Sequence, residues 1–261
     1  ITPATLEDDI PKLYAINGHK DIVPVYCEDF IQWVIEDNFL AGRPEWERVG
    51  VEFTDDVSKY EFMKLGFVNS THQMLSFPGF LAGYRKVDEA VGDERIATYL
   101  RQYMDMDVTP YLSPPPNTDL EAYKTTFIER LGNKAVSDQL SRLCFDAVNK
   151  IPVFMYPTIT AMLKANADMK RIAFLIATYR LYLRRLKDDK GVPYKIDDPG
   201  LEETDKILIN SCEPLDFLRL SCFSGVSLSS SERFVDSFLK YCNSIEAKGI
   251  LPTLEELIGE V

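Results

Sequence analysis

The sequence predicts a mainly α chain, a multi-helix domain led in by a short N-terminal β extension. Three observations carry that prediction. From about Val57 onward apolar residues recur at helical spacing in long segments. The breaks between segments are turn-rich: Ser113-Pro-Pro-Pro-Asn117, Gly132-Asn133, Gly191-Val-Pro193 and Pro199-Gly200. Alternation of β-branched and aromatic residues is confined to the stretch before residue 57.

In order, Thr5 with Asp8 three residues on signals the cap of a short helix running to about Ile16 and closed near Gly18. Val23 to Asp37 alternates with period two, placing Ile31, Trp33 and Ile35 on one side, and reads as a strand. Val49 to Thr54 reads as a second strand, with Arg43-Pro44-Glu45-Trp46 as the loop between. A long helix is expected from Ser58 past Tyr84, kinked at Pro78-Gly79. Further helices are expected near 93–107, 118–131, 134–149, 151–166, 168–187, 201–210, 230–247 and 253–259.

The stretch Lys64-Leu-Gly-Phe-Val-Asn69-Ser-Thr-His72 holds one of only two histidines. On an α-helix of about 100° per residue, Asn69 falls roughly 140°, His72 roughly 80° and Glu61 roughly 60° from Lys64, so all project from one side. A solvated stripe would normally be built from Glu, Lys and Arg. This one uses Asn, Ser, Thr, His and Gln, middling or poor helix formers often retained for what their side chains bond. The functional reading is a polyol or carbonyl site. A lysine desolvated on the wall of Phe62, Met63, Leu65, Val68 and Leu75 would shuttle a proton, while the amide and imidazole hydrogen-bond the reacting oxygen.

The spacing Lys-x4-Asn-x2-His resembles the signature of the mannitol dehydrogenase family, the polyol-specific long-chain dehydrogenases. The resemblance extends through Pro24 to Asp37, Ala41-Gly-Arg-Pro-Glu-Trp46, Gly50 to Asp56, Tyr60-Glu-Phe-Met-Lys64 and Gly79-Phe-Leu-Ala-Gly-Tyr-Arg85. It lies nearest the mannitol 2-dehydrogenases and covers their C-terminal half only. It implies a substrate domain like the C-terminal domain of 6-phosphogluconate dehydrogenases, and NAD, with NADP as the variant, as cofactor. Lys64 would be the catalytic base, Asn69 and His72 the oxygen-binding pair, and Glu61 either a proton relay or the plain partner of Lys64. It further implies that Arg142 and Lys150 reach the far hydroxyls of a polyol or ketose, against the plainer readings of a helix-face ion pair and a helix-terminal cation.

No Gly-x-Gly-x-x-Gly turn is present, although a dehydrogenase needs one or its equivalent for the dinucleotide. In the family that domain lies before the point where this sequence begins. Residues 1–57 are therefore expected to be linker and strands packing on a missing N-terminal Rossmann half, and 58–261 the helical substrate and catalytic domain. A net charge of −12 argues against nucleic acid as a partner. No run approaches 18 apolar residues, which argues against a membrane span. The five scattered cysteines read as reduced thiols of a cytoplasmic protein. Two distant histidines and no Cys-x2-Cys pair argue against a metal, as does the distance of His19 from Glu28 and Asp37. Two rivals remain: a uronate reductase or arabinitol dehydrogenase of the same family, and a helical interaction module without catalysis.

Overall fold

The computed structural model describes residues 5–136 and 138–260. Among them the chain forms twelve α-helices, two π turns and one two-stranded parallel sheet. The N-terminal part holds α1 (Asp9–Asn17), β1 (Val34–Glu36) and β2 (Glu52–Thr54). The site region follows as α2 (Ser58–Lys64), a π turn (Leu65–Asn69) and α3 (Ser70–Leu81). Next come α4 (Val87–Val91), α5 (Glu94–Gln102), a second π turn (Tyr103–Val108), α6 (Leu120–Leu131) and α7 (Leu140–Cys144). The rest is α8 (Ala147–Lys164), α9 (Lys170–Arg185), α10 (Glu203–Ile209), α11 (Glu232–Lys248) and α12 (Ile250–Gly259).

Two helices have almost no solvent face and therefore form the centre. Every residue of α9 from Arg171 to Leu183 is buried, and in α3 every residue except His72 is buried. They meet through Phe77, whose ring stacks on Tyr179 at 4.5 Å and tilts against Tyr182 at 5.1 Å. Around them, α11 packs on α9, α7 on α3 and α12 on α5. The buried carboxylate of Asp107, in the second π turn, is gripped by both Nε and NH2 of Arg171 at 2.6 and 2.8 Å. That pair ties the π turn to α9.

Tertiary contacts break the expected helix over 134–149. Gln139 bridges Lys86 in antiparallel fashion, and Leu140 donates to the Arg85 carbonyl at 2.9 Å, so this stretch is extended. A second break falls at Phe145-Asp146. Asp146 takes a positive φ of 53°, with its amide donating to the Asp197 carbonyl. Only α7 and the start of α8 survive as helix, and Ser137 lies outside the described residues. The long helix expected from Ser58 is likewise interrupted, by the first π turn, and ends at Leu81.

The strand expected over Val23–Asp37 shrinks to three residues, because its ladder finds only β2, in the register Val34↔Glu52 and Glu36↔Thr54. The chain before β2 is spent on a 3₁₀ turn at Trp46–Val49, closed by Gly50 at φ 92°. Thr5 does not cap α1; its hydroxyl bonds the Pro24 carbonyl instead, while Gly18 closes the helix at φ 72°. The N-terminal segment leaves large apolar side chains in solvent, Ile31 at 87% and Val49 at 79% exposure among them. Glu28 and Asp37, the two carboxylates weighed above against a metal, go separately to Arg130 and Arg43.

Asp107→Ala would leave the Arg171 guanidinium as a buried, unpaired cation. The expected loss is about 3–5 kcal/mol of stability. Urea unfolding of variant and parent measures it; a loss under about 1 kcal/mol would make the pair no stronger than a surface contact.

Candidate active site

The first π turn sets the geometry of the site. Ser70 donates its amide to Leu65, five residues back, in place of Gly66. Its hydroxyl takes the Gly66 carbonyl that its own amide would bond in a regular turn. One extra residue in the turn withdraws roughly 100° of rotation, so His72 moves from roughly 80° to roughly 20° from the direction of Lys64. Gly66 makes the close approach possible, since a Cβ there would lie 2.9 Å from Cγ1 of Val108 in the second π turn. The two π turns are thus pressed together, with no room for a side chain between them.

A cavity of about 370 Å³ opens beside this helix, lined by Lys64, Val68, Asn69, His72, Gln73, Arg130, Arg142, Leu143, Lys150 and Phe154. Five of the six residues singled out from the sequence meet there. Glu61 does not: it is exposed, does not line the cavity and forms no ion pair with Lys64. Lys64 is itself exposed, without a hydrogen bond or ion pair among the described residues. The desolvation expected of it is therefore not supplied by this chain's own residues.

His72 places Nδ1 2.8 Å from the Val68 carbonyl, and its ring meets Phe127 edge-on at 5.4 Å. Burial first, then the charge of Arg142, pushes the imidazole pKa down to about 4, against the opposing pull of Asp138. The ring is neutral at physiological pH. A neutral imidazole facing a carbonyl carries its proton on Nδ1, which leaves Nε2 a bare acceptor. Nε2 is buried with no partner among the described residues, and so is Oδ1 of Asn69. The two unmatched acceptors belong to residues that line the same cavity.

The opposite wall is cationic. Arg142, on α7, binds both oxygens of Asp138, with Nε at 2.7 Å from Oδ1. Burial alone would raise the Asp138 carboxyl, but Arg142 outweighs it and holds the group below the usual carboxylate range. Lys150, in the first turn of α8, donates to the Arg142 carbonyl at 3.0 Å and lies 5.6 Å over the Phe145 ring. Burial and then Arg142 lower its pKa. Sequence reasoning missed Arg130, Asp138 and Phe154. Arg130 reads as an ordinary cation in the last turn of a helix, while Asp138 was open to notice as the i,i+4 partner of Arg142. Among the described residues no three His, Cys, Asp or Glu side chains converge in a way that would hold a metal ion.

Comparison with known proteins bears on the family and the fold. Residues 56–245 match the family model of the mannitol dehydrogenase C-terminal domain, and residues 1–48 that of the mannitol dehydrogenase Rossmann domain. The fold superposes on a Pseudomonas fluorescens mannitol 2-dehydrogenase ternary complex with NAD and D-mannitol, with a TM-score of 0.90 and 40% identity. That match covers 100% of this chain and 53% of the other. A polyol:NADP oxidoreductase of Gluconobacter oxydans is 40% identical over 86% of this chain and 46% of its own length. A mannitol 2-dehydrogenase of Neosartorya fischeri is 36% identical over 99% of this chain and 52% of its own. The chain spans about half the length of the curated relatives it matches.

The depressed pKa of His72 makes a stability prediction. The folded state binds the proton less readily than the unfolded one, so His72 contributes fully above 6.5 and loses that contribution as pH falls toward about 4. Denaturant midpoints of the parent should fall with pH across that window, and those of His72→Gln should fall less. Parallel curves would show that the imidazole titrates normally.

Proposed function

The chain belongs to the mannitol dehydrogenase family, and on that premise we propose that it is the substrate-binding, catalytic-lysine half of a metal-free polyol dehydrogenase. The pair interconverted is mannitol and fructose, and the cofactor is NAD, with NADP as the variant. The observation that carries this is the pair of bare acceptors, His72 Nε2 and Asn69 Oδ1, on two residues that line a cavity shared with cationic donors. A polyol offers O–H groups to the acceptors and lone pairs to the cations, so it matches both sets. An anionic group matches only the second. The guanidinium groups of Arg142 and Arg130 are already paired with Asp138 and Glu28, which favours a neutral sugar over a uronate. An interaction module would have no use for two unmatched buried acceptors.

The nicotinamide, when bound, accepts or returns the hydride; this chain's residues manage the proton and the oxygen. Lys64 takes the hydroxyl proton in oxidation and gives it back in ketose reduction. Its ammonium and the Asn69 amide N–H donate to the oxygen as charge develops, an effect of about 2.7–4 kcal/mol for a well-placed donor. The Nδ1–H tautomer gives His72 a different part from Asn69: Nε2 accepts from a substrate hydroxyl and orients the sugar. Arg142 and Lys150 bind the remaining hydroxyls. Glu61 relays protons between Lys64 and solvent only if it rotates toward the lysine.

The chain carries no Gly-rich turn for a pyrophosphate, so the dinucleotide belongs to a Rossmann half packed on residues 1–57. Three features support that partner: the exposed apolar side chains, a parallel pair of strands too small to stand alone, and the exposed Lys64. Docking there would desolvate the lysine. Five free thiols suit a reducing compartment, and we place the protein in the cytoplasm, which cell fractionation checks.

Joined to its Rossmann half, the Lys64→Ala protein should lose about 10²–10⁴-fold in kcat with an unchanged circular dichroism spectrum, while EDTA leaves the parent's rate untouched. Parental turnover in the variant would remove Lys64 from the chemistry, and a rate abolished by EDTA would remove the metal-free mechanism. Residues 1–261 alone should neither reduce fructose nor bind NADH at micromolar concentration. NADH fluorescence titration, with and without the separately made Rossmann half, decides this.

A further inference from the structure

Arg130 ends α6 as a helix-terminal cation of ordinary appearance, but its guanidinium is held in a way that a dipole partner would not need. Nε donates to Oε2 of Glu28 at 2.8 Å and NH2 donates to Oε1 at 2.6 Å. Phe30 lies flat beneath it, with the guanidinium carbon 3.7 Å from the ring centroid. Glu28 is buried at 8% exposure, and Arg130 first among its neighbours holds its carboxyl down to about 2. The clamp engages the Nε and NH2 edge of the guanidinium and leaves NH1 outside it. The same side chain lines the cavity with Lys64, Asn69, His72, Arg142 and Lys150. The edge-on contact of Phe127 with His72 places α6 at the His72 end of the site, one turn before Arg130.

A bidentate carboxylate and an aromatic platform fix the fork of an arginine in one plane, so a free N–H can be offered to a ligand at small entropic cost. We infer that Arg130 is a further substrate-binding residue, donating from NH1 to a sugar hydroxyl at the His72 end of the cavity, and that Glu28 is its positioning residue. This rests on the polyol reading above. Glu28 lies within residues 1–48, the segment that matches the Rossmann family model, while Arg130 lies in the matched C-terminal domain. The sugar site is therefore shaped by a carboxylate from the cofactor side of the family boundary.

The test uses the protein joined to its Rossmann half, with steady-state oxidation of D-mannitol and a thermal melt for each variant. Arg130→Met should raise KM about tenfold or more and leave kcat within about threefold, because a lost charged donor weakens ground and transition states alike. Arg130→Lys should recover part of that loss. Glu28→Gln should raise KM severalfold although Arg130 is present. An unchanged KM in Arg130→Met at parental melting temperature overturns the assignment. So does a loss in every variant that only tracks its melting temperature, which would make the pair a structural tie. Should the parent itself fail to oxidise any polyol, the dehydrogenase reading falls, and this assignment with it.

Discussion

A regular α-helix through residues 58–81 would point His72 roughly 80° from Lys64, where the observed turn brings it to roughly 20°. The i→i+5 turn at Leu65–Asn69 makes that difference, and much of the remaining architecture serves to hold it. Gly66 must have no side chain, because Val108 fills the space. Val108 is in place because its own π turn is tied to α9 through Asp107 and Arg171. Helix α9 is in turn buried over most of its length against α3 and α11. The geometry of a few polar atoms thus depends on a buried ion pair, Asp107 and Arg171, whose members lie well outside the signature stretch.

The electrostatics of the cavity follow from the same packing. Burying His72 beside Arg142 keeps the imidazole neutral, and the Val68 carbonyl chooses which nitrogen holds the proton. A protonated imidazole would add a further positive charge to a cavity whose lining already includes Lys64, Arg130, Arg142 and Lys150. Two of those cations carry their own carboxylates, so the wall offers directional donors with little excess charge. Such a wall suits a neutral molecule studded with hydroxyls.

Much of this was legible from residue spacing. The helical periods after residue 57 anticipated the mainly α fold, and Lys64, Asn69 and His72 stood out because Asn and His are costly choices for a merely solvated helix face. The resemblance pointed to Arg142 and Lys150, which do line the cavity. The π turn was not legible. It is a choice between two hydrogen-bond partners for one amide, and Gly66 is its only trace in the sequence. Arg130 was hidden because its partner, Glu28, is 102 residues away, and Glu28 was read for its possible metal affinity. The break at Phe145-Asp146 was hidden because it answers to the loop at Asp197 and Asp198, which local periodicity does not contain.

The span of the Glu28–Arg130 pair has a consequence for synthesis. A ribosome adding about 5–20 residues per second takes roughly 5–20 s to travel the 102 residues between them. Through that interval the segment bearing Glu28 and Phe30 is outside the ribosome without its anchor on α6. Helical hairpins made later close their contacts locally and quickly, whereas this segment must wait. Slow translation should therefore lengthen its need for a chaperone, and a fast-decoding stretch between codons 28 and 130 would shorten it.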